Sequence, residues 1–206
     1  MSWLSDIWDA ITSLFTPSPP AQPVAPCAAA SGVSPQRAQQ IFDQMRARTD
    51  IPFNYPVDCC YARASEMCDA MQQAGVPSRK VWSYGDLHPT NPDGSPVRFP
   101  PGTGQPVEWG YHVAPVIDVA QPDGSTVPMV MDPSLSDRPL TVDQWNAIMT
   151  RNVGYIYRTD ISDRSPFYRE PDGTPHYEDA SWNRNLAFAS HRAARDQALG
   201  HPGAPP

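Results

Sequence analysis

Three side chains of the types used in thiol chemistry occur in one half of this sequence: Cys60, His112 and Asp132. Cys60 lies in the stretch DCCYARASEMCDAM, residues 58–71, where Cys60, Ala64, Met67, Met71 and Ala74 recur at helical spacing. Asp58 is the predicted N-cap and Gly75 the residue that stops the helix. Cys60 then sits in the first turn, two residues past the cap. Unpaired N–H groups and the helix dipole favour an anion there, which suits a nucleophilic thiolate. The same apolar stripe equally describes a thiol that only packs in a core. His112 lies in an otherwise apolar strand, where a lone histidine is either a satisfied core residue or a base. Asp132 follows the apolar run Val127–Met131 and precedes Pro133, a pattern that often does no more than end a strand.

A hairpin links the last two. A turn centred on Pro122–Asp123 pairs positions whose numbers add to about 244–246, so His112 falls opposite residue 132 or 134. An even sum puts opposed side chains on one face of the sheet, and a slip of one residue would separate them. In the expected register Asp132 reaches the His112 ring, fixes its tautomer and supports the imidazolium. Nucleophile, base and orienting carboxylate then follow in the order Cys, His, Asp.

The elements that must hold these groups read as follows. Leu4, Ile7, Trp8, Ile11, Leu14 and Phe15 form one stripe of an amphipathic helix, so residues 1–15 are assigned to an N-terminal helix and the Pro/Ala-rich residues 16–33 to a linker. Ser34–Pro35 is an N-cap followed by a first-turn proline, and opens a helix running to about Arg48. Strands are expected at 79–87, 107–120, 126–134 and 153–161, with a Pro/Gly loop at 88–106. Thr141 and Gln144 make a capping box for a helix carrying Trp145, Ile148 and Met149. Residues 34–162 are the expected catalytic domain, and 163–206 an extension with one helix, from Arg184 to Leu199, and a loose tail.

Composition narrows the function. A net charge of −7 over 206 residues argues against nucleic acid and anionic lipid as the main partner. The acidic polar face of the first helix points the same way, and leaves its other membrane roles open. The four cysteines, Cys27, Cys59, Cys60 and Cys68, have no zinc spacing, and free thiols are expected. The beginning of the chain lacks the basic region and cleavage site of a secretory signal. His88, His176, His191 and His201 sit in polar or proline-rich surroundings and read as surface residues.

The stretches CYARASEM (60–67), SYGDL (83–87), WGYHVA (109–114) and DPSL (132–135), followed by a helix with Trp145, resemble the bacterial protein-glutaminase (protein-glutamine deamidase) family over roughly residues 50–160. The resemblance implies an α+β fold with a central antiparallel sheet packed against the nucleophile's helix, related to the transglutaminase/papain-like core. It implies a Cys60–His112–Asp132 triad and no metal or organic cofactor. The implied substrate is a protein with an exposed glutamine. Trp109 and Tyr84 are candidate substrate-binding residues on the cleft wall, with strand packing as the competing role. Cys59 departs from the small residue, such as glycine, expected before the nucleophile, which leaves two thiols to choose between. Alternatives on the same triad are a transglutaminase and a cysteine peptidase; a non-catalytic binding module is a third. The detached first helix suggests an effector or toxin delivered without a Sec signal, with a delivery or immunity partner on that helix; a cytoplasmic protein is the other reading.

Overall fold

The computed structural model describes residues 32–151, 153–180 and 182–200. The predicted N-terminal helix, most of the linker, Cys27 and His201 lie outside the described residues.

Helix α1 (Pro35–Arg46) begins where the Ser34 hydroxyl accepts the Arg37 N–H at 3.2 Å and Pro35 takes the first helical position. Its buried face is Ala38, Ile41, Phe42 and Met45. Helix α2 (Cys60–Gln73) is buried on most of its circumference. Strands β1 (Arg79–Leu87), β2 (Arg98–Phe99), β3 (Gln105–Pro106), β4 (Trp109–Ala120), β5 (Thr126–Val130) and β6 (Leu140–Thr141) follow. Helix α3 (Val142–Thr150) opens with the expected capping box, Thr141 and Gln144 bonding reciprocally. Then come β7 (Tyr155–Ser162), β8 (Tyr168–Arg169), β9 (Pro175–His176) and α4 (Arg184–Ala198).

Five strands make one antiparallel sheet in the order β6-β5-β4-β1-β7. The helices divide between its faces. Ile117 and Val119 of β4 meet α1, α2 and Phe188 of α4 in one core. Val81, Ala114 and Val116 point the other way, onto Trp145 and Met149 of α3. The hairpin β4–β5 has the register of Val116 opposite Val130, an even sum at the upper end of the expected range. Its strand β5 stops at Val130, four residues earlier than expected, so Asp132 lies just beyond the ladder.

Two segments differ from expectation. The stretch 88–106 is an ordered arm, with the β2–β3 pairing and a bridge between Thr90 and Pro96. Residues 163–198 are no appendage to a domain ending at 162. Phe167 and Phe188 are buried in the same core as α1 and α2. Lys80, the chain's only lysine, is 1% exposed and donates to Ser65 Oγ at 2.7 Å and Pro166 O at 2.6 Å. These bonds fasten the 163–167 segment to α2 and β1, and burial pulls the lysine pKa down to about 8. Phe167 and Phe188 carry no periodic signal strong enough to distinguish a core contact from a tail.

Candidate active site

The chain enters α2 through Cys59, whose φ of 76° and ψ of 11° lie in the left-handed region. Cys59, not Asp58, is the N-cap. Asp58 instead accepts the Cys59 N–H on Oδ1 at 2.6 Å. Cys60 is therefore the first helical residue, one position past the cap. Its N–H is among the first-turn donors that the helix cannot satisfy, and it makes no backbone hydrogen bond among the described residues.

His112 stands opposite Ser83 in the β1–β4 ladder. Ser83 bonds Asn146 of α3, so His112 is on the α3 face, whereas Cys60 packs with Trp82, Tyr84 and Val113 of the other face. The two meet at the N-terminal end of β4, where the pairing is bulged between Tyr84 and Leu87. The His112 ring lies between two indoles. Trp109 stacks at 4.3 Å and 11°, and Trp145 at 5.4 Å and 27°. His112 Nε2 bonds Asp132 Oδ2 at 2.8 Å. The Asp132 carboxylate also accepts Trp145 Nε1–H at 2.9 Å, the Ser134 N–H at 3.1 Å and the Ser134 hydroxyl. His112 Nδ1 is buried without a geometric hydrogen-bond partner among the described residues. The Cys60 side chain interacts with this ring, and Nδ1 is the nitrogen left to take its proton.

The electrostatics follow from burial and pairing. Burial alone lowers the His112 pKa, but the charge and hydrogen bond of Asp132, aided by Cys60, carry it up to about 9. Burial pushes the Asp132 carboxyl up, and His112, Ser134 and Trp145 more than offset this, holding it at about 2. The pair is thus imidazolium and carboxylate at neutral pH. Beside it is a cavity of about 210 Å³ lined by Cys60, Asp58, Arg63, Glu108, Trp109 and Tyr111, among others. Among the described residues no cluster of three His, Cys, Asp or Glu side chains is arranged to hold a metal ion.

A family model described as "Glutaminase" matches residues 38–149, more than half of the chain. The chain belongs to the protein-glutaminase family. A crystal structure of protein-glutaminase is similar at 27% identity and a TM-score of 0.64, covering 78% of this chain and 89% of that one. A pro-protein-glutaminase crystal structure matches at 26% identity and a TM-score of 0.64, over 77% of this chain and 58% of that one. The NMR structure of protein-glutaminase from Chryseobacterium proteolyticum matches at 25% identity and a TM-score of 0.64, over 76% and 86%. No curated protein sequence matches the chain. The α+β architecture, with its five-stranded antiparallel sheet, agrees with these protein-glutaminase structures.

Within this protein-glutaminase framework the two adjacent thiols differ sharply. Cys59 is fully buried in the α1–α2 core, and burial raises its thiol to about 12. Cys60 faces the cavity and the histidine. The left-handed backbone at Cys59 also explains why a glycine is expected there, since a Cβ is strained in that region by about 1–2 kcal/mol. Cys59→Gly is therefore expected to be more stable than Cys59→Ala, by about 1 kcal/mol in urea denaturation, reversing the usual order of the two residues. Equal or lower stability of the glycine variant would remove strain from the account.

Trp109 lines the cavity, stacks on His112 and donates Nε1–H to Pro56 O at 2.9 Å, so its wall and packing roles coincide. Tyr84 does not line the cleft. It is fully buried, its hydroxyl faces Arg169 O at 3.5 Å, and Arg158 lies 5.3 Å over its ring. His191, read as a surface residue, has a side chain only 14% exposed, its ring tilted at 49° against Tyr55 with centroids 5.4 Å apart, and 3.6 Å from Asp58 Oδ2. Sequence reading missed the roles of Ser134 and Trp145 at Asp132. The DPSL motif and the helix after it contain both residues, but nothing local shows that their donors converge.

Proposed function

We propose that this protein hydrolyses the side-chain amide of glutamine in proteins or peptides, giving glutamate and ammonia through a thioester on Cys60. The observation that carries the reading is the His112–Asp132 pair, 2.8 Å apart and buried, beside a thiol at a helix N-terminus. Family membership supports the same chemistry.

The cycle starts from the ion pair in which the Cys60 proton resides on His112 Nδ1, thiolate beside imidazolium. The thiolate attacks the carboxamide carbon, and the amide oxygen takes up the negative charge within reach of the Cys60 N–H. Collapse of this intermediate breaks the C–N bond, and the leaving nitrogen takes its proton from His112 as ammonia departs. Water then gives a proton to the neutral imidazole and attacks the thioester. The C–S bond breaks, glutamate leaves, and thiolate and imidazolium are restored. Asp132 holds Nε2 throughout and Trp109 and Trp145 keep the ring in plane.

The substrate in this reading is a protein with an exposed glutamine. The amphipathic pattern of residues 3–15 motivates a further proposal, that the chain is an effector or toxin delivered into another cell through a partner on that segment.

Mass spectrometry of casein treated with the protein tests the reaction. The expected result is ammonia release with a gain of about 1 Da at each modified glutamine. Cross-linked chains without that gain would indicate an amine as acceptor, and new peptide termini a peptidase; either sinks the hydrolytic reading.

A further inference from the structure

Arg63 lies one turn beyond Cys60 on α2, and both line the same cavity. Residues three apart on a helix are surface neighbours. Arg63 is only 2% exposed. Its Nη1 donates to the carbonyl oxygens of Tyr55 at 3.0 Å and Asp58 at 2.7 Å. Its Nη2 is buried with no hydrogen-bond partner among the described residues. The neighbouring Asp58 carboxylate turns away, to the Cys59 N–H and towards His191. Other partly buried arginines are paired: Arg184 meets Glu66, Asp69 and Glu178, and Arg48 meets Asp50 and Glu66.

A buried cation held only by neutral carbonyls disfavours folding unless something offsets it. Such an unsatisfied group in a cleft calls for an explanation, and a catalytic role is one of those available. In the proposed reaction the negative charge forms at Cys60, first on sulfur and then on the oxygen near its N–H. The carboxylates of Asp58 and Glu108 border the same cavity and oppose that charge. Protonated His112 favours it on one side. Tyr61 and Tyr111 stay neutral near it, as burial raises both phenols, and burial likewise favours neutral His191. Among the residues lining this cavity, Arg63 is the one guanidinium.

We infer that Arg63 is a positioning residue for the reaction: its unpaired buried charge stabilises the anion that forms at Cys60, while its Nη1 bonds hold the 55–58 wall of the cavity. This rests on the reading of Cys60 as nucleophile.

The test follows iodoacetamide alkylation of Cys60 against pH in wild type, Arg63→Lys, Arg63→Met and Arg63→Gln. Peptide mass spectrometry reads Cys60 separately from Cys59 and Cys68, and circular dichroism reports folding. Arg63→Lys is expected to keep the wild-type midpoint. The Met and Gln variants are expected to raise it by about one pH unit, equivalent to about tenfold less thiolate on its acid side. They should lose about ten- to a hundredfold in kcat with little change in KM. An unchanged midpoint in either neutral variant overturns the inference. So does failure of both to fold, because the guanidinium would then serve the fold. A wild-type Cys60 no more reactive than buried Cys68 would instead sink the nucleophile reading itself.

Discussion

Replacing Cys60 by alanine is expected to abolish ammonia release from protein substrates, a fall of about 10⁴-fold or more. The sulfur forms the bond that carries the acyl group, and alanine offers no substitute. Cys59→Ala, one residue away, is expected to retain activity within about threefold. Its thiol is fully buried in the α1–α2 core and held protonated by burial. His112→Ala should lose about as much as Cys60→Ala, because residues that act as a unit are not additive. An active Cys60→Ala beside a dead Cys59→Ala would move the nucleophile one residue earlier, to Cys59. Activity in all three variants would favour a binding module over an enzyme.

Asp132→Asn is expected to lower kcat/KM by about 10²–10⁴-fold and to move the pH profile. In the wild type the His112 imidazolium persists to about pH 9, so the alkaline limb should lie there. Without the carboxylate charge, burial is left as the main influence, and the limb should fall towards or below the ordinary histidine value near 6.5. Stability follows the same signs. A folded pKa raised from 6.5 to about 9 stabilises the fold fully below pH 6.5 and ceases to do so as pH rises through 9. The Asp132 contribution is present above pH 3.8 and is lost as pH falls through about 2. Between pH 3.8 and 6.5 the wild type should denature at a nearly constant urea midpoint as far as this pair is concerned. An Asp132→Asn enzyme with an unshifted alkaline limb would show that the limb belongs to another group.

How far the site could be read beforehand varied with how local the determining interactions are. Ser34–Pro35 and the Thr141/Gln144 box act within one turn of helix, and their bonds form as the residue types imply. The parity of the β4–β5 hairpin follows from a short turn, so numbering alone brought Asp132 towards His112, although the ladder ends at Val130 and the contact forms beyond it. Asp58 misled because it is a good cap by type, yet the chain turns through a left-handed Cys59 and uses the carboxylate one position earlier. Tyr84 and His191 misled because exposure depends on what other elements cover: the Arg158 and Arg169 region covers one, and Tyr55 and Asp58 the other.

The amino-acid sequence by itself determined the helix that opens near Cys60, the even parity of the hairpin that leads on to Asp132, and the capped helix carrying Trp145. Each rests on backbone hydrogen bonding or pleat alternation over a few residues. Only the tertiary structure decided that a thiol from one layer of the sheet meets an imidazole from the other, at the bulged end of β4. It also decided that Phe167 and Phe188 join the core and that Arg63 is buried beside Cys60 without a counter-ion among the described residues. These depend on burial and charge across elements far apart in the chain, and no periodicity within a single segment encodes them.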